Sequence, residues 1–196
     1  MNADTDVTAY ALDLEVLAEL GVKRVNAVSW DTDRARGYDR FAELAAFTAG
    51  YGIGTMAEIV PVLLVNDLAA GLDLVRHVGR PDFTLLIDTL HVVRAGSGAA
   101  DLAALDPKVV GYIQLCDGPL VATRPDYGGE VTYHRLVPGD GGLPLPALMA
   151  ALPKDVMVGL EIPMAEKAEA GIGPYERMRP CVAAARKLLA EVEAQA

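Results

Sequence analysis

Asp88 ends an apolar run. In TLLIDTLHVVRAGSG, from Thr84 to Gly98, it follows Leu85, Leu86 and Ile87, and His91 stands three residues on. A carboxylate at a strand tip either starts a turn or does chemistry. The same kind of mark recurs along the chain at Asp31, Glu58, Asp88, Gln114, Arg135 and Glu161, with gaps of 27, 30, 26, 21 and 26 residues. One βα unit fits each gap, which is the rhythm of a (β/α)₈ barrel, where strand ends converge on one mouth. Glu58, Asp88, Gln114 and Glu161 would all point there. Three carboxylates and an amide oxygen are hard ligands, suited to Mg²⁺ or Mn²⁺. Without a cation, three converging carboxylates repel one another and some protonate.

Taken singly, each of these residues has a plainer explanation. An acid after a strand is more often a helix cap or turn former. Gln114 alone reads as a satisfied polar residue, and His91 alone as a hydrogen-bonded structural histidine. Repetition at four strand ends, each inside an apolar run, is what makes a joint site.

The elements that must hold these residues alternate. Helical spacing of apolar residues in YALDLEVLAELGV stops at Gly21. KRVNAVSW is a strand ending at Trp30 and Asp31, and RARGYDRFAELAAFTAGYG a second helix. GTMAEIVP is a strand, NDLAAGLDLVRHVG a helix opened by Asn66 or Asp67, and DFTLLID the strand that ends at Asp88. DLAALDP is a short helix. KVVGYIQLCDG is a strand with Gln114 and Asp117 at its tip. TYHRLVPGDGG reads as a short strand and loop, and LPLPALMAALP as a helix. DVMVGLEIP is the last strand, and a helix over 175–194 closes the chain. Alternation with continuous apolar strands predicts an α/β fold, a parallel sheet covered by helices. It reads as an incomplete (β/α) TIM-type barrel of about six parallel strands, one domain over 1–196. A doubly wound sheet shares the alternation, but no GxGxxG follows the first strand.

The composition narrows the partners. Of 196 residues, 52% are apolar and 22% charged, and the net charge is −10. An acidic globular chain argues against nucleic acid or an anionic membrane as partner. Two cysteines, Cys116 and Cys181, have no metal or redox spacing, and no apolar run reaches membrane-spanning length. A cytoplasmic location is expected. Arg135 and Arg124 are the candidate cations for a substrate phosphate or carboxylate. Trp30 and Asp117, also at strand ends, join the candidate substrate contacts. His134 would face away from Arg135 in an extended segment. PGDGGLP, Pro138 to Pro144, reads equally as a backbone nest for an anion or as a tight turn.

In this order, IDTLHVVRAG, YIQLCDG, RLVPGDGGLPL and VGLEIP resemble the sugar phosphate isomerase/epimerase group of xylose isomerase-like TIM barrels. The resemblance runs from about Leu12 to Ala190. It implies a four-ligand metal site on Glu58, Asp88, Gln114 and Glu161, with His91 contacting substrate and Arg135 before the glycine-rich loop. Many members carry histidine where this chain has Gln114. A neutral amide is a weaker ligand for late transition metals, so Mn²⁺ or Mg²⁺ is expected over Zn²⁺. The expected activity is a metal-dependent isomerase or epimerase of a small sugar, sugar phosphate or related polyhydroxy carbonyl compound. The metal would stabilise an enediolate, and Glu58 and Glu161 would exchange the proton. A dehydratase on the same metal site is the second reading. A non-catalytic binding or subunit protein is the third.

The resemblance also implies that the first two βα units are missing, since an eight-stranded barrel takes about 250 residues. Six strands cannot close a barrel of that diameter, and valine- and leucine-rich edges invite pairing. A homodimer covering the gap is expected, with residues 1–11 flexible or exchanged between subunits.

Overall fold

The structure, a computed structural model, describes residues 1–123 and 126–195. Arg124 therefore lies outside the described residues. The chain divides into two compact units, one of Met1–Ile87 with Asp106–Tyr112 and one of Asp88–Leu105 with Ile113–Ala196.

In the first unit, helix α1 (Ala11–Glu19) leads to β1 (Arg24–Ala27), α2 (Arg34–Ala49), β2 (Gly54–Glu58), α3 (Leu68–Val78) and β3 (Phe83–Asp88), whose last residue belongs to the second unit. Aspartates start α2 and α3. Asp33 accepts from the Arg36 amide at α2, and Asp67 accepts from the Ala70 amide at α3. Gly79, at φ 63°, ends α3 in the left-handed conformation that glycine adopts without steric cost. The strands are parallel, and Glu58 of β2 stands in register with Leu86 of β3. All six residues of β3 are buried. Phe41, Ile53, Ile59, Leu74, Phe83 and Leu85 fill the core, each gaining about 1.5–3 kcal/mol from burial. Within it, the Thr48 and Thr55 hydroxyls satisfy each other at 2.7 Å.

The second unit takes Asp88, then α4 (Thr89–Arg94), α5 (Ala99–Ala103) and the end of β4 (Val110–Leu115). It continues through α6 (Tyr127–Tyr133), α7 (Leu145–Ala151), β5 (Val158–Leu160), α8 (Ala165–Glu169) and α9 (Pro174–Ala194). β5 is parallel to β4, with Gln114 beside Gly159. Leu90, Leu102, Leu115, Leu148 and Cys181 form its core. The sheet order is β1-β2-β3-β4-β5, five parallel strands in chain order, as in an incomplete TIM barrel of the α/β class.

Among the described residues five strands stand where about six were expected. The segment TYHRLVPGDGG does not add a strand. Asp126 accepts from the Gly128 and Gly129 amides and starts α6, which carries the chain in helix to Tyr133. Beyond it the described residues form isolated bridges, Asp117 with Leu136 and His134 with Met164.

The first residue of the chain pairs with the segment just after β1. The Met1 ammonium donates to the Val28 carbonyl, and the Trp30 amide donates to the Met1 carbonyl. Among the described residues no helix is long and apolar enough to cross a membrane.

Candidate metal and substrate site

Asp88 caps a helix with one oxygen and pairs with a cation through the other. Its Oδ1 accepts from the amides of Leu90 and His91 at 2.9 and 3.0 Å, which fixes the start of α4. That capping places His91 one turn into the helix, buried beside its own cap. The other oxygen, Oδ2, accepts from Arg135 Nη1 at 2.5 Å.

Arg135 reaches this position from the chain just after α6, and it is only 4% exposed. Its Nε donates to the Val131 carbonyl at 2.8 Å, anchoring the stem. Its Nη1 stands 3.1 Å from Glu161 Oε2 and 3.5 Å from Cys116 Sγ. Its Nη2 lies 3.4 Å from His91 Nε2. Two carboxylates, an imidazole and a thiol therefore surround one guanidinium. The carboxylates hold the Arg135 pKa above its ordinary value against the cost of burial. Burial dominates for Glu161 and raises its carboxyl above the usual range, with Asp88 adding to the rise and Arg135 opposing it.

Burial lowers the His91 pKa most, and Arg135 lowers it further against the pull of Asp88. A guanidinium only donates, so Nε2 facing it is the acceptor and Nδ1 carries the proton. Nδ1 meets the Tyr127 hydroxyl at 2.5 Å. The Tyr127 hydroxyl oxygen thus accepts from Nδ1–H and fixes the ring. Cys116, beside them, exchanges two hydrogen bonds with Thr89, whose hydroxyl donates to the Cys116 carbonyl and accepts its amide. Burial pushes its thiol up to about 12.

The other predicted residues divide. Glu161 follows β5 directly and joins the cluster. Gln114, on β4, is partly exposed and has partners of its own. Glu58, in the first unit, ends β2 and accepts from Asn26 Nδ2 at 2.7 Å. Trp30, also in the first unit, is 65% exposed beside the buried Asp31, which is paired with Arg36. Asp117 is 2% exposed and turned inward. Its Oδ1 accepts from the amides of Gly118 and Leu143, and its Oδ2 from those of Gly139 and Gly141. The amides of PGDGGLP do form a nest, and the anion it holds is the chain's own Asp117.

Tyr127 was missed by sequence reading. Its signal was the dipeptide Asp126-Tyr127, a helix cap followed by an aromatic at the first helical position. A second missed feature is the pair between Arg94 and Glu130, joined by Nε to Oε2 at 2.9 Å and Nη2 to Oε1 at 2.6 Å.

The fold and these side chains define a class, and the comparisons agree with it. A family profile described as "Xylose isomerase-like TIM barrel" matches residues 4–179, and the chain belongs to that family. It is 28% identical over 151 residues to an inosose isomerase of Bacillus velezensis, covering 71% of this chain and 52% of that protein. The inosose isomerase of Bacillus licheniformis is 28% identical over 156 residues, covering 73% and 53%. The chain thus spans about half the length of the curated relatives it matches. Among solved structures, the IOLI protein with a bound zinc atom superposes with TM-score 0.74 at 22% identity, covering 96% of this chain and 69% of that one. An L-ribulose 3-epimerase gives TM-score 0.72 at 16% identity, covering 96% and 68%.

Proposed function

We propose that this protein is a divalent-metal-dependent isomerase or epimerase of a small polyhydroxy ketone or related sugar. The observation that carries the reading is the convergence of Asp88, Glu161 and His91 on one buried positive charge. Side chains arranged so tightly around a cation fit a divalent ion by the chemistry of their donors. Within the second unit Asp88, His91 and Glu161 offer such donors, and the reading adds Glu58 and Gln114 as ligands. The zinc bound in the IOLI structure is consistent with a divalent metal. The chain's own oxygen-rich donors favour Mn²⁺ or Mg²⁺.

A bound divalent ion would polarise the substrate's carbonyl and the neighbouring hydroxyl. Glu161, its carboxyl raised above the usual range by burial, is the proton-transfer group in this reading. In this reading it takes the proton from the carbon beside the carbonyl, and Glu58 returns one. His91, held by Tyr127 through Nδ1, offers Nε2 to the ion. Asp117 acts at a distance, by shaping the loop after Arg135.

A neutral polyhydroxy ketone suits the site better than a phosphate ester. Arg135 already shares its charge with Asp88 and Glu161, and the glycine-loop amides are turned to Asp117. The inosose isomerases act in the same direction as support, since an inosose is such a ketone.

Incubation with inososes and ketohexoses in D₂O with Mn²⁺ tests the proposal. Deuterium should enter beside the carbonyl, with product of otherwise unchanged mass. A product about 18 Da lighter, from loss of water beside the activated carbon, would make it a dehydratase. Absence of exchange with every ketone would favour a binding protein.

We also propose a cytoplasmic homodimer. Both thiols are free and buried, which suits a reducing compartment. Strand β1 is a sheet edge, and α1 with its C-cap exposes Leu12, Val16 and Leu20 at successive four-residue steps, each more than half exposed. Light scattering at micromolar concentration should give twice the chain mass; a monomer would overturn the dimer.

A further inference from the structure

We infer that Arg135 is a built-in competitor of the divalent ion, and that metal binding requires its guanidinium to leave Asp88. The inference rests on the metal reading above and deepens it to the control of that site.

Asp88 has one oxygen to give. Oδ1 is committed to the Leu90 and His91 amides, and losing it would uncap α4. Oδ2 is the oxygen left for a cation, and Arg135 Nη1 holds it at 2.5 Å in a site where the two side chains are 3% and 0% exposed. The same nitrogen reaches Glu161 Oε2 at 3.1 Å, and Nη2 faces the His91 Nε2 lone pair at 3.4 Å. One guanidinium thus covers one donor atom on each of three residues a divalent ion would use. A metal ion on Oδ2 would stand within a few ångström of a second cation in a water-poor pocket, where like charges repel strongly. The two cations exclude each other.

Arg135 can yield without leaving the chain's grip. Its Nε bond to the Val131 carbonyl uses a different nitrogen from the Asp88 contact, and Glu161, its second carboxylate partner, is 43% exposed. A guanidinium swung outward about that anchor has its donors free for a substrate oxygen. Metal would then bind before substrate, and the metal affinity would be weaker than the donor set alone gives.

Calorimetric titration of the full chain with Mn²⁺ tests this in wild type, Arg135→Ala and Arg135→Gln. The expected result is at least tenfold tighter binding in both variants, whose folding is checked by near-UV circular dichroism. Equal or weaker affinity in a folded variant would overturn the competition while leaving the metal site in place. Failure of both wild type and variants to bind Mn²⁺ would overturn the metal reading and the inference together. If neither variant folds, the wild type decides through its Arg135 Nε–H nuclear magnetic resonance signal, assigned by its loss in Arg135→Lys. Titration with Mg²⁺ should shift that signal in step with binding. A signal unmoved at Mg²⁺ saturation would overturn the inference.

Discussion

The Gly141 amide donates to Asp117 Oδ2 at 3.1 Å, in contact so close that a Cβ on the glycine would sit 2.3 Å from Asp117 Oδ1. A buried carboxylate and a glycine loop therefore define each other. Asp117 can be buried only because four amides face it, and Gly141 can approach only because it has no side chain.

Asp117→Asn should destabilise the protein by about 2 kcal/mol. The amide keeps one acceptor oxygen but turns an NH₂ group toward donors, leaving buried amides unpaired, and bonds to a charged acceptor are worth about 1.5–3 kcal/mol. Gly141→Ala should cost about 1–3 kcal/mol by overpacking, because the Cβ would also meet the Gly118 carbonyl oxygen at 2.4 Å. Urea denaturation measures both. A Gly141→Ala protein of unchanged stability would mean the loop has room to shift.

The Arg94–Glu130 pair offers a different test, since the two side chains are 10% and 4% exposed. Arg94 also donates to the carbonyls of Pro119 and Leu120, so one guanidinium ties α4, α6 and the loop between them. Glu130→Gln should cost about 3 kcal/mol, the price of leaving a buried charge without its partner. Arg94→Met combined with Glu130→Leu should cost less than the two single changes summed, and a thermodynamic cycle in urea reads that coupling.

His91 makes stability depend on pH with a definite sign. Its pKa is lowered in the folded protein, so the unfolded chain binds the proton more readily. The stability it contributes is present above the unfolded value of about 6.5 and is lost as pH falls through the lowered folded value. Glu161 works oppositely: its raised carboxyl gives stability below its unfolded value, lost as pH rises through the folded one. Between pH 7.5 and 5.5, His91→Asn should therefore lose less stability than wild type. Equal slopes in the two proteins would mean that His91 is not held neutral.

The strand-end carboxylates were legible from the sequence because strand period and hydrophobic pattern are local properties. An acid that interrupts a run such as TLLID marks a strand end wherever the chain goes. The five parallel strands, Asp67 as cap of α3 and the closing helix follow from the same short-range rules. The sixth strand was misread where local signals compete. Thr132 to Leu136 has strand-like residues, yet Asp126 and its two glycine amides nucleate a helix six residues earlier, and the helix runs through Tyr133.

What each polar group faces was decided only by tertiary structure. Nothing local tells whether Arg135 points to solvent or into a pocket. Its burial depends on Asp88, 47 residues away, and on Glu161, 26 residues away. Nothing in PGDGG tells whether its amides await a ligand or an internal carboxylate, since that depends on Asp117, about twenty residues earlier and brought alongside by a single bridge. The sequence by itself determined which residues end strands and cap helices, because those choices rest on neighbours within a few positions. Only the tertiary structure decided which charges meet, because electrostatic partners are set by distance in space.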